Sequence, residues 1–307
     1  MRIVVVGLPL FAERLVEKLK RFSPSNKFIF LNTYYSRLDQ LKALYEIPRA
    51  DLIFSINGSL ISSKVFDLAL KHNIPLVMNW VGTDVLLATE AVSKNNFIDS
   101  YRTKAIHFCE VKWIKEELSK IGIEAQIQNF AAFPKKFEIK NFATDSLNVL
   151  TYINDNRQDF YGIQEILKLA NHFPQIHFYI AGTKAEDYLP IPANVKVLGW
   201  IENMDEYFDL CQVTIRFPEH DGLATFVLES LAKGKLVLYK YDFSHCIHTS
   251  TYDSMVEQLM LINDSFNQKM LSPNIAGVEF IKNEFSEDAI FNSLLNKLES
   301  LVSKKNG

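Results

Sequence analysis

Short apolar runs alternate with amphipathic stretches along the whole chain. Runs rich in β-branched and aromatic residues favour strands, whereas apolar residues that recur about every 3.6 positions predict helices. The predicted strands are residues 3–6, 27–31, 52–56, 76–79, 105–109, 148–153, 177–181, 195–198, 212–216 and 236–239. The predicted helices are residues 12–21, 62–71, 111–121, 162–172, 204–210, 223–233 and 286–303. Strands that alternate with helices form parallel sheets covered on both faces, so the pattern predicts the α/β class.

Residues 133–146 break this alternation, because they are polar, begin with a Phe-Pro step and show no periodicity. We interpret them as the linker between two Rossmann-like domains, at residues 1–140 and 147–285. The last helix, within residues 286–307, is expected to pack back toward the N-terminal domain. Two doubly wound parallel sheets joined in this way are expected to face each other across a cleft. Ligands of such sheets bind outside the carboxyl ends of the strands.

The composition is that of a soluble globular protein, with 48% apolar and 22% charged residues. No stretch approaches the roughly 18 consecutive apolar residues that a membrane helix needs. The apolar run at the N terminus is short and soon reaches Glu13, so it predicts a buried strand and not a signal peptide. Three distant cysteines, Cys109, Cys211 and Cys246, argue against a disulfide framework and favour a cytoplasmic location.

Charge is distributed unevenly between the two halves of the chain. Residues 1–140 hold 20 Lys or Arg and 14 Asp or Glu, whereas residues 141–307 hold 13 and 22. A basic front half favours contact with an anionic membrane surface or an anionic acceptor, and ordinary scatter of solvated charge is the alternative. We therefore expect weak peripheral association with the cytoplasmic membrane face, and no nucleic-acid partner.

The segment that begins at Arg216 carries the candidate chemistry, because it is predicted to run from a strand through an acidic loop into a helix. Asp221 can cap this helix, and Gly222 lets the backbone pass close to a ligand. The helix N terminus and its dipole suit a diphosphate, with N–H groups expected from Leu223, Ala224 and Thr225. Glu229 lies eight residues after Asp221, where its carboxylate could accept two hydrogen bonds from a ribose.

Residues 221–234 resemble the Glu-x7-Glu motif of retaining glycosyltransferases of the glycogen-synthase and family 4 type, within the two-Rossmann-domain superfamily. The residues that match the motif are Leu228, Glu229, Ala232 and Gly234. Two positions differ from it, because Asp221 stands where the first Glu is usual and Ala224 where the second glycine is usual.

Three further segments of the C-terminal half resemble the same family. Residues 152–162 resemble its first strand-loop-helix unit, with Arg157 at a phosphate-binding position and Tyr161 in place of the usual Lys. Arg216 is expected to supply the charge that this exchange removes. Residues 173–182 resemble the strand that leads to a glycine near the nucleobase, here Gly182, and residues 195–204 resemble the segment that reads the base.

The N-terminal half resembles the family less strongly. Residues 79–85 resemble its loop at the cleft, which contains Asp84, and residues 111–122 and Asn129 resemble a late helix and the start of the hinge. The first strand ends in Gly7 without a Gly-x-Gly-x-x-Gly fingerprint, which argues against a dehydrogenase.

The resemblance implies a GT-B-like glycosyltransferase that moves a sugar, with retention, from a nucleotide-diphospho-sugar to a hydroxyl of a glycan, lipid or small molecule. No Cys or His metal motif occurs, so neither metal nor cofactor is expected. The expected catalytic residues are Asp221 and Asp84. The expected donor-binding residues are Arg157, Gly182, Arg216, Gly222, Leu223, Ala224, Thr225 and Glu229. The expected acceptor-side residues are Gly7, Leu8, Pro9 and Thr83.

Other functions are compatible with the same residues. The chain could be a nucleotide-sugar epimerase, or a non-catalytic nucleotide-sugar-binding protein that kept the fold, which the exchanges at Tyr161 and Asp221 favour. A periplasmic solute-binding protein is disfavoured because no signal peptide is predicted. Each residue also has a structural alternative, such as a helix cap for Asp84 or Asp221 and a solvated helix charge for Glu229.

Overall fold

The computed structural model describes residues 1–134, 138–142 and 145–306, with side chains described as far as Ser303. These residues form two compact units. Unit 1 comprises Met1–Ala132 together with the segment that begins at Glu287, and unit 2 comprises Phe133–Ser286. Residues 135–137 and 143–144 of the predicted linker lie outside the described residues, and the described part of residues 133–146 belongs to unit 2.

Unit 1 is built on one six-stranded sheet in which every pair of neighbours is parallel. Its strands are β1 (Arg2–Gly7), β2 (Lys27–Phe30), β3 (Leu52–Ile56), β4 (Leu76–Trp80), β5 (Ile106–Cys109) and β6 (Ala125–Ile127). Its helices are α1 (Pro9–Phe22), α2 (Arg37–Glu46), α3 (Lys64–Lys71), α4 (Thr83–Ser93), α5 (Asp99–Lys104), α6 (Lys112–Lys120) and the C-terminal α12 (Glu287–Asn306). The strand order is β2-β1-β3-β4-β5-β6, so the winding reverses between β1 and β3.

The central strands of unit 1 are apolar along their length because helices cover both faces of a parallel sheet. Every residue of β3 and of β4 is buried. Gly7 ends β1 at φ +105°, and a Cβ there would lie 2.2 Å from the carbonyl oxygen of Ile56. Only glycine therefore permits the tight turn from β1 into α1, which starts at once with Pro9.

The C-terminal helix α12 belongs to unit 1. The rings of Phe291 and Phe22 meet edge to face with centroids 5.4 Å apart, and Lys297 Nζ donates to the carbonyl of Ile127 at 2.8 Å. Although α12 has 20 residues, neither it nor another helix of the described residues is long and apolar enough to cross a membrane.

Unit 2 also contains a six-stranded parallel sheet. Its strands are β7 (Asn148–Tyr152), β8 (His177–Ala181), β9 (Val195–Gly199), β10 (Val213–Arg216), β11 (Leu236–Tyr239) and β12 (Ile247–His248). Its helices are α7 (Ile163–His172), α8 (Asp205–Leu210), α9 (Thr225–Ala232), α10 (Tyr252–Asn267) and α11 (Ile275–Glu284). The strand order is β12-β11-β10-β7-β8-β9, so the winding reverses between β7 and β10. Ligands of open α/β sheets bind at the carboxyl ends of the strands at such a reversal.

The predicted α/β class with two doubly wound parallel sheets is confirmed. All ten predicted strands occur, with their ends displaced by at most one residue. Seven elements of the described chain were not predicted, namely β6, β12, α2, α4, α5, α10 and α11. Strands β6 and β12 have only three and two residues, too few to show a period. Helix α2 buries only Ala43, so its leucines show no pattern of burial.

His107 in β5 forms a buried hydrogen-bonded pair with Trp80. Its Nδ1 accepts from Trp80 Nε1–H at 3.1 Å, which leaves Nε2–H to donate to the carbonyl of Arg102 at 3.0 Å. These bonds require the neutral ring, and burial lowers the pKa of His107 below its ordinary value of 6.5.

We expect acid to destabilise unit 1 through His107. Because its folded pKa lies below the unfolded value, the unfolded chain binds the proton first as the pH falls below about 6.5. Stability is then lost at up to about 1.4 kcal/mol per pH unit until the folded pKa is reached. Urea unfolding at a series of pH values should show this slope in the wild type and a flatter profile in His107→Gln. The exposed His72 provides the control His72→Gln, and equal slopes in both variants would contradict the assignment.

Candidate functional site

The candidate site of unit 2 lies where the sheet reverses its winding. Tyr152 ends β7 and Arg216 ends β10, and the two strands are neighbours in the sheet. Arg216 Nη1 donates to the carbonyl oxygen of Tyr152 at 3.2 Å, which ties the two carboxyl ends together. A charged side chain thus lies at the position where open α/β sheets bind ligands.

Arg216 and Asp221 form a two-pronged buried ion pair. Nε and Nη2 of Arg216 donate to Oδ2 and Oδ1 of Asp221 at 2.8 and 3.3 Å, and the side chains are 8% and 13% exposed. The guanidinium also lies 4.5 Å from the ring centroid of Tyr161. Burial opposes the charge of Arg216, but the adjacent Asp221 carboxylate outweighs it and raises the arginine pKa. The guanidinium of Arg216 is therefore a permanent cation at the strand ends, and Asp221 balances its charge.

Tyr161 and Tyr241 also contact this pair, and no sequence pattern indicated Tyr241. The backbone N–H of Asp221 donates to the hydroxyl of Tyr241 at 3.2 Å. Tyr161 occupies the position where the resembling family has Lys, and its ring lies against Arg216. The exchange therefore replaces a positive charge by an aromatic surface that stacks on the guanidinium of Arg216.

Close backbone contacts hold the loops around the pair. Gly162 has φ +79°, and a Cβ there would lie 2.4 Å from the carbonyl oxygen of Phe217, so only glycine fits. Glu219 N–H donates to the carbonyl of Phe160 at 2.7 Å, and the hydroxyl of Tyr239 donates to the carbonyl of Gly222 at 2.9 Å. The loop before α9 is therefore held from two sides. Gly162 contributes by allowing the close approach of Phe217, a role that the sequence pattern alone did not suggest.

Helix α9 begins two residues later than predicted. Ala224 is its N-cap residue with extended backbone, and Leu223 lies before the helix with its side chain buried. Asp221 does not cap α9, because it lies three residues before the N-cap and pairs with Arg216. The first helical amides, which have no carbonyl partner within the helix, are those of Thr225 and Phe226.

Glu229 lies within α9, one turn after its first residue, and is half-buried. Its neighbours Val227, Leu228 and Ser230 are buried. Asp221 lies in the loop and Glu229 in the helix, as the predicted helix at residues 223–233 implies. The expected ribose-binding role of Glu229 stays a prediction.

Arg157 occupies a more exposed place than Arg216. It ends a short 3-10 turn, and its guanidinium lies 3.8 Å from the ring centroid of Phe160. In the same turn, Asp155 Oδ1 accepts from the hydroxyl of Thr183 at 2.8 Å and from Lys184 N–H at 3.0 Å. The Lys184 and Thr183 bonds lower the pKa of Asp155. Asp155 thus joins this turn to the loop that follows β8.

Gly182 opens that loop at φ +90°. A Cβ there would lie 2.6 Å from the carbonyl oxygen of Ile153, so the glycine permits a close approach of the two strand ends. Its N–H donates to the carbonyl of Gly199 at 2.7 Å, and Trp200 follows with 79% of its surface exposed. The two segments that were expected to contact the nucleobase, residues 173–182 and 195–204, are therefore neighbours. The side chain of Trp200 beside them is exposed to solvent.

Asp84 in unit 1 is held by backbone amides. Its carboxylate accepts from the N–H groups of Gly58 (2.8 Å), Gly82 (2.9 Å), Val85 (3.1 Å) and Val81 (3.2 Å). Burial raises the pKa of Asp84, and these four bonds oppose that rise. The carboxylate therefore joins the loop after β3 to the loop before α4.

The predicted acceptor-side residues lie on two stretches of unit 1, one at the end of β1 and one after β4. Gly7, Leu8 and Pro9 form the turn from β1 into α1, with Leu8 N–H donating to the carbonyl of Ile56 at 2.8 Å. Thr83 is the first residue of α4, next to Asp84. All of them follow the carboxyl ends of strands, as expected for ligand contacts in a parallel sheet.

Within the described residues, no group of three or more His, Cys, Asp and Glu side chains has an arrangement that could hold a metal ion. The expected independence from metal stays a prediction.

Known proteins were compared with this chain by sequence and by structure. No protein-family model and no curated protein matches the sequence. The crystal structure of Anabaena HepE with UDP and glucose matches with a TM-score of 0.71 at 13% identity, over 98% of this chain and 100% of that chain. Its complex with UDP-glucose matches equally well, with a TM-score of 0.71. This chain and HepE therefore share a fold.

Two other solved structures match over the full length. Sucrose-phosphate synthase from Thermosynechococcus elongatus has a TM-score of 0.70 at 11% identity, over 99% of this chain and 100% of that chain. A glycosyltransferase from Rickettsia africae has a TM-score of 0.67 at 8% identity, over 98% of each chain. The architecture of two Rossmann-like units expected from the resemblance is therefore the fold of these proteins, and at these identities the likeness concerns the fold alone.

Proposed function

We propose that this chain is a glycosyltransferase that moves a sugar from a nucleotide-diphospho-sugar to a hydroxyl of an acceptor. The observation that carries the proposal is the Arg216–Asp221 pair at the end of β10, just before the N terminus of α9. A buried cation and a helix N terminus both favour a diphosphate. The resemblance of residues 221–234 to the Glu-x7-Glu motif and the shared fold support a nucleotide sugar as the ligand.

In this proposal unit 2 binds the donor. The amides of Thr225 and Phe226, with Arg157 and Arg216, neutralise the diphosphate, which becomes the leaving group. Fixed positive charge of this kind can replace a divalent cation. Glu229 accepts hydrogen bonds from the ribose, and the glycine turn at Gly182 lies beside the base.

The reaction exchanges one bond at the anomeric carbon for another. The bond from this carbon to the diphosphate oxygen breaks, and a bond to the acceptor oxygen forms. The proton of the acceptor hydroxyl leaves with the nucleoside diphosphate. Asp221 is assigned the stabilisation of positive charge on the sugar in the transition state, and retention is proposed from the resemblance.

Unit 1 is assigned the acceptor, through the strand-end residues Gly7, Leu8, Pro9 and Thr83. We assign Asp84 a positioning role in place of direct catalysis, because amides of unit 1 already engage both of its carboxylate oxygens. Its loss would release the loop that carries Thr83. The basic residues of the front half support weak association with an anionic membrane face.

One observation favours a second function, that of a non-catalytic nucleotide-sugar-binding protein. Both oxygens of Asp221 are engaged by Arg216, and Tyr161 replaces the Lys that the resembling family uses on phosphate. A chain that binds the donor without turning it over would fit this arrangement.

A panel of nucleotide sugars tests the proposal by thermal shift, followed by transfer assays with the donor that binds. A ligand at about 100 times its dissociation constant adds about 2.7 kcal/mol to the stability, which a shift in Tm reveals. Stabilisation together with transfer is the expected result. Tight binding without transfer or hydrolysis of any donor would favour the binding protein, and interconversion of free donors would favour an epimerase.

We expect donor binding and transfer to persist in excess EDTA, because side-chain cations and helix amides are assigned to the diphosphate. Calorimetric titration of the donor with and without EDTA measures binding, and product formation measures turnover. Loss of both with EDTA, with recovery on adding Mn²⁺ or Mg²⁺, would contradict this prediction.

A further inference from the structure

Unit 1 contains a cavity of about 800 Å³ at the point where its sheet reverses. The ends of β1 and β3 form its floor, with Gly7 and Ser55, and α2 and α3 form its walls. Open α/β sheets bind ligands at this topological position. Nothing in the donor site of unit 2 accounts for this cavity.

The described residues that line the cavity include two charged side chains, Arg37 and Lys64, and no acid. Each is the first residue of its helix, α2 and α3 respectively, so two helix N termini lie at the same cavity. Among the described residues, neither cation forms an ion pair or a hydrogen bond. Two uncompensated cations at helix N termini favour an anionic group.

The acids in the first turns of these helices form contacts outside the cavity. Asp39 pairs with Lys42 at 3.2 Å, and Asp67 accepts from the hydroxyl of Tyr101 at 2.6 Å. Neither acid lines the cavity. Both charged side chains that line the cavity are therefore positive.

The outer wall of the cavity continues into an exposed apolar surface on α2. Leu38, Leu41 and Leu44 are 71%, 64% and 62% exposed, and Tyr45 is exposed beside them. We call these four residues the α2 apolar band. Leu41 and Leu44 also line the cavity, so the band and the cavity wall are continuous. A contiguous apolar surface beside a cationic cavity matches a molecule with an anionic head and an apolar chain.

We propose that this cavity binds the phosphate headgroup of a membrane lipid, with the lipid chains against the α2 apolar band. A phosphate suits the fork of Arg37 and the compact charge of Lys64, and the hydroxyls of Thr33, Ser59 and Ser62 line the same cavity. The inference rests on the proposed function in one respect, because a lipid bound in unit 1 would be the acceptor class. A lipid whose headgroup carries a phosphate and a hydroxyl could bind in the cavity through the phosphate and accept the sugar on the hydroxyl.

Vesicle co-sedimentation tests the site directly. Wild type should bind phosphatidylcholine vesicles that contain phosphatidylglycerol, and should bind pure phosphatidylcholine weakly or not at all. Lys64→Gln should weaken binding about fivefold, the usual effect of one basic residue near an anionic surface. Lys71→Gln, at the other end of α3 and outside the cavity, is the matched control. Equal losses in the two variants would overturn the site, because they would indicate attraction to the whole basic surface.

The apolar band is tested by Leu41→Glu, which should weaken binding about tenfold or more. Leu261→Glu, at a leucine of α10 in unit 2 that is 55% exposed, should leave binding unchanged. Both side chains are exposed, so both variants should fold, and circular dichroism checks this. Displacement of wild type from the vesicles by inorganic phosphate alone would overturn the assignment to a lipid.

The same preparations separate this inference from the proposed function. Donor binding without any vesicle binding would overturn the lipid site and leave the glycosyltransferase proposal intact. Vesicle binding that follows the variants as expected, without transfer to any lipid, would support the lipid site and contradict a lipid as the acceptor.

Discussion

Arg216→Met is expected to lower the free energy of unfolding by about 3–5 kcal/mol, because it removes both hydrogen bonds of the guanidinium from the largely buried Asp221 carboxylate. The two side chains are 8% and 13% exposed, so water replaces the lost bonds only in part. Urea unfolding followed by circular dichroism measures the loss. Arg157→Met is the matched control, since Arg157 is exposed and its guanidinium lies against the ring of Phe160.

A double variant sharpens this test. Arg216→Met combined with Asp221→Leu removes both charges, so it should recover much of the stability lost in the single variant. The control Arg157→Met should change the free energy of unfolding by no more than about 1 kcal/mol. A similarly small loss in Arg216→Met would mean that the pair behaves as an exposed one.

Glu229→Gln is expected to weaken binding of the donor and of the sugar-free nucleoside diphosphate by the same factor. A lost charged hydrogen bond costs about 1.5–3 kcal/mol, which corresponds to roughly ten- to a hundred-fold in affinity. Calorimetric titration of both ligands provides the measurement. Glu257→Gln, at an exposed position of α10, should bind both ligands as the wild type does.

Asp221→Asn is the companion variant, because Asp221 is assigned to the sugar and Glu229 to the ribose. It should spare binding of the sugar-free diphosphate and mainly reduce turnover, since its charge matters most as positive charge develops on the sugar. Equal losses of diphosphate binding in both variants would mean that Asp221 acts only by holding Arg216. Initial rates with the best donor complete the comparison.

Much of the architecture could be predicted from local pattern. Strands buried on both faces are continuous apolar runs, and β3, with its five buried residues, was predicted with its observed bounds. Strand β12 could not be predicted, because two residues carry no period. Helix α2 was not predicted for a different reason. Its leucines are exposed, so the helix has no apolar face that packs on the core.

The candidate site was predicted in its residues but not in its contacts. The sequence indicated Arg216, Asp221 and Glu229 by their types and by the motif they resemble. It assigned Asp221 to a helix cap or to the donor sugar, whereas the structure pairs it with Arg216. Four loop residues separate the two, and the conformation of a loop depends on its tertiary neighbours more than on its own pattern.

The sequence by itself determined the α/β class, the two parallel sheets and the residues with candidate chemistry, because burial and periodicity are local properties of the chain. Only the tertiary structure decided the strand order, which places β7 beside β10 and brings the carbonyl of Tyr152 to Arg216 across 64 residues. It likewise decided that amides from two loops hold Asp84, and that α2 turns its leucines outward beside a cationic cavity. Such contacts join residues distant in sequence, and their geometry depends on the packing of the whole unit.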